Sequence, residues 1–224
     1  MERPYIICHM MMSVDGRIDC AMTENLPGDE YYKTLNSLDT SASLMGRVTA
    51  EKEMANGHFK SNNSLSINKE TFYKARNAKG YEIITDTKGI LLWDDYKDNN
   101  EEALLIVTSE EVKEDYLDYL KSKNISYISV GKEKINLKRA MEILYEEFNV
   151  KRMALLGGGT INGGFLKEGL IDEISILIGA GIDGRKGMGS VFDGLPMDSD
   201  VYQLQLLSVE SYKSGAVWIR YKTK

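Results

Sequence analysis

The stretch Leu155-Leu156-Gly157-Gly158-Gly159-Thr160-Ile161-Asn162-Gly163-Gly164 decides the fold. Met153–Leu156 has the length and apolar content of a buried strand. The glycines interrupt it, and helical spacing then resumes and ends near Leu166. A strand, a glycine turn and a helix make half of a parallel β-α-β unit. Glycines at such a turn let backbone N–H groups approach an anion closely, and the following helix N-terminus adds partial positive charge. The stretch therefore reads as a diphosphate site in outline, or more plainly as a tight turn that needs conformational freedom. Its glycines lack the spacing of the dinucleotide fingerprint, and no phosphate-loop lysine follows.

Working outward, apolar runs of strand length alternate with segments of helical period. Tyr5 to Met12 reads as a buried first strand, and Asp29 to Leu38 as a helix with Tyr31, Leu35 and Leu38 on one face. Ser43 to Met45 is a short strand and Arg47 to Met54 a helix, while the Asn- and Ser-rich stretch from Asn56 to Asn68 is expected to be a mobile loop with little to bury. Tyr81–Thr85, Ala103–Thr108 and Ile125–Val130 read as further strands. Ser109 is expected to cap the helix containing Tyr116, Leu117 and Leu120, and Asn136 the one containing Ala140, Ile143, Leu144 and Phe148. After Ile171 come three β segments, Glu173–Ile178, Val201–Val209 and Ala216–Lys222, with Lys213-Ser214-Gly215 as the turn between the last two. Parallel units followed by a hairpin predict a mixed sheet.

Two hundred and twenty-four residues, 42% hydrophobic and 28% charged, suffice for one domain over 1–224. A net charge of −6, with bases interleaved among acids, argues against a nucleic-acid surface. Cys8 and Cys20 form no Cys-x-x-Cys pair, and with His58 they show no metal-ligand spacing, so no metal or disulfide framework is expected. No apolar run approaches the ~20 residues of a membrane span and the start Met-Glu-Arg-Pro has no signal-peptide character, so the expected location is the cytoplasm, away from membranes.

Two more strand ends carry chemistry-bearing side chains. In Leu44-Met45-Gly46-Arg47-Val48-Thr49-Ala50-Glu51, Gly46 permits close approach, Arg47 offers a guanidinium fork suited to phosphate, and Thr49 adds a hydroxyl. The plainer reading makes Arg47 a solvated charge. In Met12-Ser13-Val14-Asp15-Gly16-Arg17-Ile18, Asp15-Gly16 is turn chemistry, and Ser13 and Asp15 face ligand if the first strand is central. Two glycine turns in one sheet could hold the two ends of a dinucleotide. Gly179 to Gly189 is a glycine-rich loop whose Arg185 and Lys186 read as solvated charges or, alternatively, as phosphate ligands.

These segments together resemble the riboflavin-biosynthesis reductases, the 5-amino-6-(5-phosphoribosylamino)uracil reductase-like family of the dihydrofolate-reductase-like superfamily. Ser13-Val14-Asp15-Gly16-Arg17-Ile18 resembles that family's Ser-Leu-Asp-Gly-Lys-Ile element. Gly46-Arg47-Val48-Thr49 with Glu51 is similar to the Gly-Arg-x-Thr-x-Glu of dihydrofolate reductases. Gly157 to Thr160, followed by Gly169-Leu170-Ile171-Asp172-Glu173, is similar to the family's glycine element and next strand. The resemblance implies an α/β, three-layer, dihydrofolate-reductase-like fold whose mainly parallel sheet ends in a C-terminal antiparallel hairpin. It also implies NADPH as hydride donor, a small-molecule substrate with a heterocycle or ribosylamino group, and a homodimer through the β-rich C-terminal part. Met12 would line the nicotinamide, and Gly46, Arg47, Thr49 and Glu53 would contact cofactor. Thr87 would lie near its adenosine end, and Gly157, Gly158, Gly159, Thr160 and Ile161 would wrap its diphosphate.

The substrate side departs from the family. His9 stands where the family has a lysine, and Leu156 where it has a glutamate just before the glycines. Asn25-Leu26-Pro27-Gly28-Asp29 resembles the Leu-Pro-x-Asp of dihydrofolate reductases, so Asp29 is read either as a proton relay or as a helix-start acid. His9 is read as a proton donor or as a structural strand histidine. Ser13, Asp15 and Asp29 are the substrate-side candidates. Reduction of a riboflavin precursor is the leading expectation, and reduction of a pteridine or other metabolite, or an NADPH-binding sensor without turnover, are the alternatives.

Overall fold

The computed structural model describes residues 2–18, 23, 28–62, 65–97 and 101–224. In chain order these form β1 (Tyr5–Met12), α1 (Glu30–Asn36), β2 (Ala42–Gly46), α2 (Arg47–Glu53), β3 (Thr71–Tyr73), β4 (Gly80–Thr85), β5 (Glu102–Thr108) and α3 (Glu114–Ser122). Then follow β6 (Ser126–Ser129), α4 (Leu137–Glu146), β7 (Arg152–Leu155), α5 (Gly159–Lys167), β8 (Glu173–Ile178), β9 (Leu204–Ser211) and β10 (Val217–Thr223). The chain divides into two compact units, 1–4 with 41–153 and 5–40 with 154–224, and passes from the first into the second within β7. The α/β class, the parallel strands and the antiparallel C-terminal hairpin are as the sequence predicts.

In the first unit the strand order is β3-β6-β5-β4-β2. β2, β4, β5 and β6 run parallel, and β3 lies antiparallel on β6. β5 is buried throughout Ala103–Thr108, so it reads as a continuous apolar run rather than an alternation. Its core gathers Leu91, Trp93, Leu104, Ile106 and Tyr116. The polar tips inside it are satisfied, since Trp93 Nε1 donates to the Tyr116 hydroxyl at 3.2 Å and that hydroxyl donates to the Leu91 carbonyl at 3.0 Å. Asn136 caps α4 as expected, accepting from Arg139 N at 3.1 Å.

Three sequence expectations need correction here. Ser109 does not cap α3. Lys113 occupies that position, because the Ser109 hydroxyl is spent on the Thr87 carbonyl at 2.9 Å and residues 110–112 form a separate turn. The 56–68 stretch has more to bury than its composition suggests. Phe59 and Ile67 pack on the core, and residues 56–59 pair with 90–92 through bonds of 2.8–2.9 Å from Asn56 N to Leu92 O, Leu92 N to Gly57 O and Phe59 N to Ile90 O. β3, only three residues long, had no periodic signal to announce it.

In the second unit the order is β1-β8-β10-β9. β1 and β8 are parallel, and β8, β10 and β9 are successively antiparallel. β9 starts three residues later than predicted and extends to Ser211. α1 presents Tyr31 and Leu35, with Leu38 beyond its end, to Ile7, Leu177 and Trp218, as its spacing predicts. Gly215 N bonds to Tyr212 O at 3.0 Å and closes the hairpin turn.

His9 is the polar centre of this unit. Trp218 Nε1 donates to Ser175 Oγ at 2.8 Å, so the serine's own proton faces His9 Nδ1 at 2.9 Å. The ring proton is then on Nε2, which faces the Tyr31 carbonyl at 3.3 Å, and the Tyr31 ring stacks on the imidazole with centroids 4.8 Å apart. Burial, aided by the Arg220 cation, lowers the His9 pKa from 6.5 to about 4. The unfolded chain therefore takes up the proton first. The stabilisation is complete above pH 6.5, declines as pH falls and is exhausted below about pH 4. Its total is on the order of 3 kcal/mol, of which about 2 kcal/mol is lost by pH 5. Urea unfolding should accordingly show that wild type loses about 2 kcal/mol more than His9→Gln between pH 7 and pH 5. Equal losses would refute a neutral, sealed His9.

Candidate functional site

In the second unit the chain leaves β1 through a turn built on Ser13. Gly16 N bonds to Ser13 O at 2.9 Å, and Ser13 N and Oγ meet Arg17 O and N at 2.9 and 3.1 Å. The Ser13 hydroxyl donates to Asp15 Oδ1 at 2.6 Å. That carboxylate also accepts from Asp183 N at 3.0 Å and Gly184 N at 2.9 Å, so it ties the glycine-rich segment after β8 to the end of β1. The Ser13 hydroxyl first, then those two amides, hold the Asp15 carboxyl well below the usual range. Arg17 Nη1 donates to Met188 O at 2.8 Å, extending the same attachment. Ser13 and Asp15 thus lie together, and their polar atoms are engaged in shaping this corner. Met12 is half-buried beside them, its carbonyl taken by Gly179 N at 2.8 Å.

The glycine turn lies in the same unit. Gly157 has φ +95°, and a Cβ there would stand 2.7 Å from the Met10 Sδ and Cε atoms, so only glycine fits comfortably. Gly158 caps α5, and Thr160 and Ile161 occupy its first turn, exposed and half-buried respectively. The segment 190–193 seats on this helix start. Asp193 N donates to Gly159 O at 3.0 Å, Asn162 Nδ2 donates to Val191 O at 2.8 Å, and a Cβ on Gly163 would collide with the Asp193 carbonyl. The Asp193 carboxylate accepts from Ser190 N at 2.9 Å and Ser190 Oγ at 2.8 Å. Sequence reasoning missed this seat, although two glycines and an asparagine at helical spacing were its visible trace.

In the first unit, Gly46 and Arg47 follow β2, and Asp86 and Thr87 follow β4. Gly46 is the cap of α2, with Thr49 half-buried in the first turn and Glu53 exposed at the end. Arg47 Nη1 donates to Glu51 Oε2 at 2.6 Å, its side chain 37% exposed. Thr87 is half-buried and offers its carbonyl to Ser109. Asp86 was not foreseen. It is fully buried, with Oδ2 accepting from Ile90 N at 2.7 Å and Leu91 N at 2.8 Å, and burial raises its pKa against those bonds and the Arg47 cation. A groove of about 490 Å³ flanked by Lys74, Lys79 and Lys151 lies at the opposite, amino end of β4. Its lysines are already engaged: Lys74 with Glu147 O, Lys79 with Glu101, and Lys151 over the Tyr145 ring.

The two nominated proton donors have other tasks. Asp29 is three-quarters exposed and bonds Lys33 at 2.6 Å, an ion pair that lowers its pKa and keeps it ionised. Its neighbours Asn25, Leu26 and Pro27, which carry the Leu-Pro-x-Asp resemblance, lie outside the described residues. His9 is neutral, sealed and bonded at both ring nitrogens. Asp29 is paired with Lys33, and both ring nitrogens of His9 are engaged inside the core. Arg185 forks onto its neighbour Asp183 at 2.6 and 2.7 Å and is thereby occupied.

Residues 4–218 match the family described as the RibD C-terminal domain. Two curated relatives are named 2,5-diamino-6-ribosylamino-4(3H)-pyrimidinone 5′-phosphate reductase. The one from Methanothermobacter thermautotrophicus is 23% identical over 222 residues, covering 95% of this chain and 94% of the relative. The one from Aquifex aeolicus is 25% identical over 189 residues, covering 79% and 77%. Among solved structures, a pyrimidine reductase-like protein from Corynebacterium diphtheriae superposes with a TM-score of 0.71 at 18% identity, covering 99% of this chain and 92% of that one. The Saccharomyces riboflavin biosynthesis reductase Rib7 gives 0.65 at 18%, covering 99% and 90%. The match spans both units and every strand end described above, and the chain belongs to the RibD C-terminal domain family as one of its reductases.

Proposed function

We propose that this chain transfers hydride from NADPH to a ribosylamino-pyrimidinone 5′-phosphate of the kind its curated relatives are named for. The observation that carries the reading is the glycine turn of the second unit, where the positive φ of Gly157 favours glycine and the chain enters α5 directly. Glycines let backbone N–H groups come close to an anion, and a helix start favours negative charge. Gly157, Gly158, Gly159, Thr160 and Ile161 would hold the diphosphate, and Met12 would face the nicotinamide. Gly46, Arg47, Thr49, Glu53 and Thr87 are the first unit's contributions, with Arg47 as the ligand of the 2′-phosphate. The bound nicotinamide would supply the hydride. The chain's own part is to orient substrate and exclude water, and the Ser13–Asp15 corner does this by fixing residues 181–184.

His9 and Leu156, in place of the family's lysine and glutamate, favour a second reading in which the reduced ring is a pteridine or other heterocycle. NADPH oxidation followed with the pyrimidinone phosphate and with a pteridine separates the two. Turnover of the former only is expected, and no turnover of either would overturn the reductase reading. Arg47→Ala should weaken NADPH binding about tenfold or more while leaving NADH binding unchanged, as loss of a charge-assisted phosphate contact requires. Equal effects on both nucleotides would remove Arg47 from the phosphate site.

We also propose a homodimer through β9. It ends the strand order of its unit, and Leu206, Leu207 and Val209 are each about half exposed on it. Leu206→Lys with Val209→Lys should convert a dimer to a monomer in sedimentation. A monomeric wild-type chain would overturn the proposal.

A further inference from the structure

Arg47, Glu51 and His58 form a continuous chain of contacts in the first unit. Arg47 Nη1 donates to Glu51 Oε2 at 2.6 Å, and His58 Nε2 donates to Glu51 Oε1 at 2.6 Å. Arg47 and Glu51 are one turn apart on α2, so helix geometry alone sets them side by side. His58 lies seven residues beyond Glu51, past the end of α2. It is held there by the pairing of 56–59 with 90–92 and by its own bridge to Leu91. The three side chains are 37%, 33% and 53% exposed.

We propose that Glu51 and His58 are positioning residues that set how strongly Arg47 attracts a nucleotide 2′-phosphate, through the proton on His58. This rests on the reading that Arg47 contacts that phosphate. With His58 neutral, the trio carries no net charge, and an incoming phosphate meets the Glu51 carboxylate already bonded to Arg47. With His58 protonated, Glu51 is shared between two cations and the trio carries one positive charge. Phosphate and proton then bind cooperatively, each raising the affinity for the other. Asp86, just after β4, also acts on Arg47, and its own partners are Ile90 N, Leu91 N and the Tyr116 hydroxyl. The segment facing His58, Ile90-Leu91-Leu92, adds no charge; Lys88, Asp94 and Asp95 flank it, and Glu53 and Lys60 flank His58 along its own segment. Because the trio is partly exposed, the coupling is limited to roughly two- to five-fold in affinity.

The probe is 2′,5′-ADP, with NADH as the control lacking the phosphate, titrated between pH 6 and pH 8. His58→Gln preserves a donor to Glu51 and removes the titratable charge. The ratio of its dissociation constant to that of wild type should be near one at pH 8 and rise two- to five-fold at pH 6, which also cancels the titration of the phosphate itself. Glu51→Gln, also at a partly exposed position, should tighten 2′,5′-ADP binding throughout and flatten the pH dependence. NADH binding should follow neither change. A ratio constant across the range, or weaker binding in Glu51→Gln, overturns the inference while leaving Arg47 as a phosphate ligand. Failure of the wild type to bind 2′,5′-ADP at any pH overturns the cofactor reading and this inference together.

Discussion

A histidine sealed from water must stay neutral and must find a partner for each ring nitrogen, and the second unit is arranged around meeting that requirement at His9. Ser175 on β8 serves Nδ1, Trp218 on β10 orients Ser175, and the start of α1 serves Nε2. β8 and α1 are thereby fixed against β1, and β10 against β8. The apolar contacts of Ile7, Leu177 and Trp218 would tolerate small slips, whereas these hydrogen bonds would not. A residue type that invites a catalytic reading is here the keystone of the packing.

Carboxylates at turns form a second recurring device. Asp15 and Asp86 stand where the chain leaves a strand and Asp193 in the connection between β8 and β9, and each accepts at least two backbone or hydroxyl donors. Such acids give irregular loops the hydrogen bonds that regular structure would otherwise supply.

Much of the fold was legible because its signals are local. The apolar runs of β1, β4 and β5, the Asn136 cap and the glycine break after Leu155 each state their role within a few residues. What failed to show was set by distant partners. Ser109 had the chemistry of a cap but met the Thr87 carbonyl first. The polar 56–68 stretch looked mobile because its pairing with 90–92 and the insertion of Phe59 against Tyr116 depend on residues some 30 to 60 positions away. The site divided the same way. Glycine turns and Arg47 could be named from motif spacing, whereas the tasks of Asp15, Asp29 and His9 depend on which donors and cations reach them in space. Asp86 and Asp193 carried no motif at all.

The order in which the chain is made bears on how it folds. Apart from its first four residues, the first unit is one continuous segment, 41–153, and its parallel strands can pair as they leave the ribosome. β1 is made before that segment yet pairs with β8, made after it, with His9 and Ser175 separated by 166 residues. Until residues 154–224 emerge, β1 and α1 present unsatisfied backbone and an apolar face to whatever is nearby. Closure of the second unit is therefore a late, long-range event, slow by the entropy of the intervening loop and the stage at which a nascent chain most needs protection from its neighbours.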